Sequence, residues 1–167
     1  MKTKTRIALL IVAFITTTFV NAQKKESPAT TATGVINGAN ITINYGSPSV
    51  KERKIWGTLV PYNEVWRAGA NDATTFETDK KLTIEGKELP AGKYAFFIIP
   101  KEKECVIIFN KEAKQWGSYK YDEKKDQLRV TVKQQKSAAL NEKLVYKVEK
   151  NKVVVSWENW DIPISVK

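Results

Sequence analysis

The sequence predicts an all-β fold, a single antiparallel β-sandwich or flattened barrel of about eight or nine strands. Three observations favour this fold class. Short segments alternate apolar and polar residues, turn residues separate these segments, and no segment beyond the N-terminus has the apolar face of a packed helix. About 135 residues remain after the N-terminal segments, which is enough for one domain with one hydrophobic core.

The N-terminus has the composition of a secretory signal peptide. Basic residues stand among the first six, residues 7–20 are apolar but short and threonine-rich for a membrane-spanning helix, and Ala22 ends a suitable cleavage sequence. We therefore expect cleavage after Ala22, a periplasmic or secreted protein, and no transmembrane segment after cleavage. The predicted organisation is a signal peptide at residues 1–22, a flexible tail at 23–33 and the β-sandwich domain at 34–167.

Alternation and turn chemistry predict the half-buried strands and their hairpins. Asn37 and Gly38 tolerate positive φ and predict a tight hairpin turn, and Glu85-Gly86 predicts another. Alternating segments, each expected to bury one face, lie at residues 41–45, 128–132 and 162–166.

Two other strands have no polar face. Residues 94–99 and 105–109 are apolar throughout, so we expect them deep in the core, paired as a hairpin across Pro100 and the charged turn after it. A turn at residues 90–92 leads into the first of them. A last hairpin is predicted within residues 144–157, around a polar turn.

The charge balance is typical of a solvated basic surface, and among charged partners it suits an anionic glycan or envelope lipid better than a nucleic acid. The chain has 28 Lys and Arg against 18 Asp and Glu, a net charge of +10 that falls to about +7 without the signal peptide. The lysines are interleaved with acids, as in solvated turns, and are not gathered in the stripe typical of nucleic-acid binding. We therefore expect a glycan or an anionic envelope component as partner, and no nucleic acid.

Most histidine and cysteine chemistry is excluded. The chain has no histidine and one cysteine, Cys105, in a predicted strand where a lone thiol is typically a buried apolar group. We therefore predict no metal site and no cofactor, and we assign no catalytic residue. Glycoside hydrolysis needs only two carboxyl groups, and no local signature links the candidates for that role, Glu64, Asp72, Glu158 and Asp161.

One loop concentrates aromatic and polar residues. Residues 60–75, VPYNEVWRAGANDATT, contain the candidate ligand-binding residues Tyr62, Glu64, Trp66, Arg67, Asn71 and Asp72. An aromatic face suits a sugar ring, and an arginine fork suits a carboxylate, sulfate or phosphate. The alternative is structural, with Trp66 as a core anchor and Arg67 paired with Glu64 or Asp72. Complete burial and internal pairing of Trp66 and Arg67 would contradict the binding assignment.

A second aromatic segment, QWGSYKY at residues 115–121, precedes a charged loop. Interleaved Trp, Tyr and Lys side chains suit a glycan or a single-stranded nucleic acid. The shared parity of Tyr119 and Tyr121 favours instead a hairpin whose alternate aromatic side chains pack inward. Near the C-terminus, Trp157 and Trp160 are expected to serve core and rim packing.

Short motifs along the chain together resemble an uncharacterised family of exported bacterial proteins, catalogued as domain of unknown function 2911. They are YGSP (45–48), RKIWG (53–57), LVPY (59–62), VWRAGAN (65–71), ATT (73–75), LPAGKY (89–94), QWGSY (115–119) and WEN (157–159). The resemblance covers nearly all of the chain after the signal peptide and implies no established activity. The chain departs from the family pattern at Asn63 and Asp72, where glycine and glutamate are usual, and the shorter arm of Asp72 disfavours catalysis.

We therefore expect an exported, non-catalytic β-sandwich domain that binds a glycan or another cell-envelope ligand. The alternatives are a structural or assembly domain that docks on an envelope protein, and a carboxylate-based glycoside hydrolase. A concave polar and aromatic groove would favour ligand binding, whereas a broad exposed apolar patch would favour docking.

Overall fold

The computed structural model describes residues 26–167, so the predicted signal peptide and its cleavage site lie outside the described residues. This part of the chain forms ten strands and one short 3₁₀ helix, Glu123–Lys125. The strands are β1 (Ala29–Ile36), β2 (Ala39–Gly46), β3 (Thr74–Thr78), β4 (Leu82–Ile84), β5 (Lys87–Leu89), β6 (Gly92–Pro100), β7 (Cys105–Asn110), β8 (Asp126–Val132), β9 (Gln135–Val148) and β10 (Lys152–Ser165). Between residues 26 and 167, no helix has the length and apolarity needed to cross a membrane.

The main sheet has six antiparallel strands in the order β1-β2-β3-β6-β7-β8. The two long strands β9 and β10 form a separate hairpin, and β4 and β5 form a short one. The sheet is open, with β1 and β8 at its edges, so the closed alternative is not formed. The all-β, antiparallel prediction is confirmed, and the described residues contain ten strands where we expected eight or nine.

The principal core lies between one face of the main sheet and the β9–β10 hairpin. Phe76, Phe96 and Phe109 contribute from the sheet, and Trp157 and Ile164 from the hairpin. Burial of these large apolar side chains supplies most of the stabilisation, at about 25 cal/mol per Å² of apolar surface.

The opposite face of the main sheet is covered only in part. Ala95 and Phe97 of β6 and Ile108 of β7 form a second cluster on this face, under Val65 and Tyr121 from two loops. Strands β6 and β7 are therefore buried on both faces, which explains their continuous apolar runs. The predicted hairpin across Pro100 is confirmed by the pairing of β6 with β7.

The predicted tight turns are present. Asn37 and Gly38 have φ of 50° and 76°, and join β1 to β2. Glu85 and Gly86 have φ of 48° and 81°, and join β4 to β5. In each pair both central residues have positive φ, as the two-residue hairpin requires.

The N-terminal boundary differs from the predicted one. Strand β1 begins at Ala29, inside residues 23–33 that we assigned to a tail, and pairs with β2 along its whole length. Every second residue of β1, including Ala32, faces the core. The sequence shows little alternation of apolar and polar residues here, because one of the inward residues is Gly34. Gly34 is required there, since a Cβ atom would lie 2.5 Å from Cγ1 of Val148 on β9.

Candidate functional site

The segment of residues 61–73, here called the 61–73 loop, runs beside the C-terminal part of β6, which does not pair with β3. Trp66 exchanges two backbone hydrogen bonds with Ile98, of 2.8 and 3.0 Å, and the Asn63 N–H donates to the Pro100 carbonyl at 2.8 Å. Strand β3 begins at Thr74, opposite Phe96, and does not reach the C-terminal residues of β6. The loop takes the neighbouring position there. Because its backbone is paired in this way, the Trp66 and Arg67 side chains start from a fixed position.

A buried tyrosine holds the bend of the loop. Ala68 is fully buried with φ of 52°, and its carbonyl accepts hydrogen bonds from the Tyr146 hydroxyl at 2.6 Å and the Thr74 hydroxyl at 2.9 Å. Burial raises the pKa of Tyr146, so its hydroxyl stays protonated and keeps donating. Gly46 lets the loop approach β2, since a Cβ atom there would lie 2.2 Å from the Ala70 carbonyl oxygen.

One side of the loop lines a cavity of about 330 Å³, here called the Arg67 cavity. The lining residues that matter for its chemistry are Trp66, Trp157, Arg67, Lys51, Arg53 and Glu64. The rings of Trp66 and Trp157 stack at 5.6 Å between centroids with 15° between planes, and form an aromatic wall. The cavity is of the size that small-molecule sites have.

Two basic groups of this cavity have partners. Lys51 Nζ lies 2.8 Å from Glu26 Oε1, and this hydrogen bond lowers the pKa of the exposed Glu26 carboxyl. Arg53 donates from Nε to the Val50 carbonyl at 2.9 Å and from Nη2 to the Ser49 carbonyl at 2.6 Å. These contacts shape the cavity wall, and the pair with Glu26 neutralises Lys51.

Arg67 has no such partner. It is half-buried, its Nε atom is buried without a hydrogen-bond acceptor, and within residues 26–167 it forms no ion pair with Glu64 or Asp72. The pairing that the structural alternative requires is therefore not formed in this part of the chain. Trp66 is also half-buried, so neither side chain meets the condition of complete burial and internal pairing.

The other end of the loop lines a second cavity, of about 670 Å³, here called the sheet-face cavity. Asn71 and Asp72 lie here, and Asn71 donates from Nδ2 to the Ser27 carbonyl at 3.2 Å. Tyr62 lines neither cavity, because its ring stacks on Trp160 at 6.1 Å. Of the six sequence-predicted residues, three line the Arg67 cavity, namely Glu64, Trp66 and Arg67. Asn71 and Asp72 line the sheet-face cavity, and Tyr62 lines neither.

The second aromatic segment does not form the expected inward-packed hairpin. Trp116 and Tyr119 are 65% and 77% exposed and stack on each other at 5.5 Å with 12° between planes. Tyr121 instead packs on Phe97, with centroids 5.2 Å apart. The reason is a turn at Gly117, where φ is 68°, which removes the alternation of a strand. We call Trp116 and Tyr119 the aromatic pair.

The acidic candidates for hydrolysis do not gather at one cavity. Glu64 lines the Arg67 cavity and Asp72 the sheet-face cavity. Glu158 lies at a bulge of β10 with φ of 51°, and its Oε1 accepts the Ile55 N–H at 3.2 Å. Among the described residues, no group of three or more Cys, Asp and Glu is placed to hold a metal ion.

Sequence reasoning missed several residues of the Arg67 cavity. Glu26 was assigned to the tail, Lys51 was given no role, and Trp157 was assigned to packing. Trp157 does pack, at 2% exposure, but its edge also reaches the cavity and its indole N–H has no acceptor among the described residues. No local pattern marks these residues, because they come from separate elements.

Comparison with known proteins places the chain in one family. A family model described as "Protein of unknown function (DUF2911)" matches residues 27–166. No curated protein matches the chain, and no solved structure matches it.

Proposed function

The chain belongs to the DUF2911 family, and we propose that it is an exported, non-catalytic domain that binds an acidic glycan of the cell envelope in the Arg67 cavity. The observation that carries the proposal is the guanidinium of Arg67, whose buried Nε atom has no hydrogen-bond partner among residues 26–167 and which lies beside an aromatic wall. A half-buried cation without a partner is costly, and a ligand carboxylate would offset that cost.

The remaining charges of the cavity favour an anion. Glu26 and Lys51 neutralise each other, and Arg53 is bound only to carbonyl groups. Glu64 is exposed, so its carboxylate is solvated and opposes an incoming anion only weakly. Arg53 keeps its positive charge, so it also attracts an acid, and Arg67 is the arginine whose planar fork has no hydrogen-bond partner among residues 26–167 and suits a two-pronged contact.

The aromatic wall favours a sugar over a small inorganic anion. Trp66 lines the cavity and is half-buried, and its other surroundings include the rings of Trp157 and Trp56. An indole face supplies apolar contact to the C–H face of a pyranose, and the nearby arginine binds its acid group. About 330 Å³ accommodates a mono- or disaccharide unit.

The same geometry supports binding without catalysis. A glycosidase needs one carboxyl group whose pKa is raised, usually by burial. The carboxyl groups that line the Arg67 cavity, Glu26 and Glu64, are both exposed, and the pKa of Glu26 is lowered by Lys51. This arrangement favours a binding role over hydrolysis.

Export is the other part of the proposal, and it is supported by the basic and apolar regions before Ala22. A docking role has less support. The exposed large apolar residues of the described chain lie on separate elements, with the exception of the aromatic pair, whose two rings are in contact. These residues are Val35, Leu59, Trp116, Tyr119 and Leu140.

The test uses two disaccharides that differ in one acid group. The N-acetylglucosaminyl-N-acetylmuramic acid unit of peptidoglycan carries a lactyl carboxylate, and N,N′-diacetylchitobiose does not. We expect calorimetric titration of residues 23–167 in about 0.15 M salt to show tighter binding of the acidic sugar. Arg67→Met should remove that preference, a loss of about 10- to 100-fold in affinity.

Lys103→Met is the matched control. Lys103 is exposed, lines neither cavity, and its removal lowers the net charge by the same amount. Arg67→Met should unfold at the same temperature as the wild type or above it, because it removes an unpaired buried N–H group. Equal affinity for the two sugars, or equal losses in both variants, would contradict the proposed function.

A further inference from the structure

The outer face of the main sheet carries a row of polar side chains on its uncovered half. Thr31 of β1 is opposite Asn44 of β2, which is opposite Thr75 of β3. The Thr31 hydroxyl donates to Asn44 Oδ1 at 2.8 Å. This row is the floor of the sheet-face cavity, and Asn71 and Gln115 stand on its wall.

Two residues that line this cavity each have a buried polar atom without a hydrogen-bond partner among residues 26–167. These atoms are the Thr75 hydroxyl and Gln115 Oε1, and Gln115 is only 8% exposed. Gln115 Nε2 donates to Asn110 Oδ1 at 3.2 Å and to the Glu112 carbonyl at 2.7 Å. Both amide hydrogens are therefore in use, the orientation of the amide is fixed, and Oε1 needs a donor from outside the protein.

The charges around this cavity do not select an ion. Lys93 lines it but is paired with Glu77, at 3.3 Å between Nζ and Oε2. The other charged lining residues are Asp72 and Lys114, which have opposite signs. An uncharged ligand rich in hydroxyl groups fits this balance, because it donates to the two unpaired atoms without leaving a charge unpaired.

The aromatic pair lies next to this cavity. A pocket lined by Trp116 and Tyr119 shares Lys114 and Gln115 with the sheet-face cavity, and its other charged lining residues are Lys120, which is exposed, and Lys125 and Glu112, which pair at 2.9 Å. Exposed aromatic rings beside buried hydrogen-bonding groups are the two parts that recognise a pyranose, since the rings take its apolar face and the polar groups take its hydroxyls.

We propose that the sheet-face cavity and the aromatic pair form a second binding site, specific for an uncharged oligosaccharide. One sugar ring lies on the aromatic pair, and a neighbouring ring donates hydroxyl hydrogens to Thr75 Oγ1 and Gln115 Oε1. This inference goes beyond the proposed function, because the contacts it assigns to the ligand are those of Thr75, Gln115 and the aromatic pair.

The test measures binding of three neutral hexasaccharides, N-acetylchitohexaose, cellohexaose and maltohexaose, to the protein without residues 1–22. We expect at least one to bind, with Thr75→Val and Trp116→Ala each weakening it about tenfold or more. Thr75→Val keeps the shape of the side chain and removes an unpaired hydroxyl, so its melting temperature should equal or exceed that of the wild type.

Thr42→Val is the matched control, because Thr42 lies on the same face of β2 as Asn44 and outside the cavity. It should bind as the wild type does. Failure of all three sugars to bind, or unchanged affinity in both Thr75→Val and Trp116→Ala, would overturn the inference.

Discussion

Arg67 and Arg129 are both half-buried, and their surroundings are opposite. Arg129 donates to Asp126 from Nε at 2.5 Å, contacts the Tyr121 hydroxyl, and lies 3.6 Å from Glu123. Arg67 has no comparable contact in the described chain. An arginine that holds a structure together has its acceptors in the protein, so the contrast assigns Arg129 to the fold and leaves Arg67 for a ligand.

Cys105 shows how burial decides reactivity at a single residue. It is fully buried, and burial raises the pKa of its thiol to about 12. We expect the folded protein at pH 8 to react with iodoacetamide far more slowly than the urea-unfolded chain, because the thiolate is the reacting species. Mass spectrometry of labelled protein measures both rates, and equal rates would contradict the burial of the thiol.

The same raised pKa sets the sign of a pH dependence. The folded state holds the Cys105 proton more tightly than the unfolded chain, whose thiol has a pKa of about 8.5. This contribution to stability is fully present below about pH 8.5 and is lost as the pH rises toward about 12. Guanidinium unfolding at several alkaline pH values should show the free energy of unfolding falling as the pH rises. The fall should be less steep in Cys105→Ala.

At the scale of elements, an aromatic stack fixes the loop before β3 against β10. Trp160 of β10 stacks on Trp56 at 4.4 Å with 11° between planes, and on Tyr62 at 6.1 Å. Trp56 also meets Trp157 and Trp66 edge-on. Because the stack joins the long hairpin to the 61–73 loop, it keeps the Arg67 cavity in shape.

We therefore expect Trp160→Ala to lower the free energy of unfolding by about 2–4 kcal/mol, since it removes a half-buried ring from two stacking contacts. Trp116→Ala is the comparison within the same chain. Its ring is 65% exposed, so the loss should be below about 1 kcal/mol. Urea unfolding of both variants measures the free energy of unfolding that each loses. Equal losses would show that the buried stack stabilises the fold no more than an exposed aromatic contact does.

The strands and tight turns could be predicted from the sequence because their signals are local. Asn37-Gly38 requires positive φ, and the apolar runs of β6 and β7 require burial on both faces. The composition of the Arg67 cavity could not be predicted, because it depends on which distant segments meet. The exposure of Tyr119 was also missed, since a single turn at Gly117 cancels the alternation that the pattern suggested.

At the scale of the whole molecule, residues 26–31, which comprise the start of β1 and the residues before it, connect the two proposed sites. Glu26 and Ser27 line the Arg67 cavity, and Ala29, Thr30 and Thr31 line the sheet-face cavity. Residues of the 61–73 loop also line both cavities. The two sites therefore share this loop and residues 26–31 as their lining.

A chain that starts at Gly34, our predicted domain boundary, should therefore lose more than a tail. It lacks the pairing of Ala29–Thr33 with residues 42–46 and the hydrogen bond of 2.9 Å from the Ser47 N–H to the Pro28 carbonyl. We expect it to be about 2–4 kcal/mol less stable than a chain that starts at Glu26, and to bind both classes of sugar more weakly. Guanidinium unfolding and the two titrations measure these effects. Equal stability and equal affinities would mean that residues 26–33 are a dispensable tail, as their composition alone suggested.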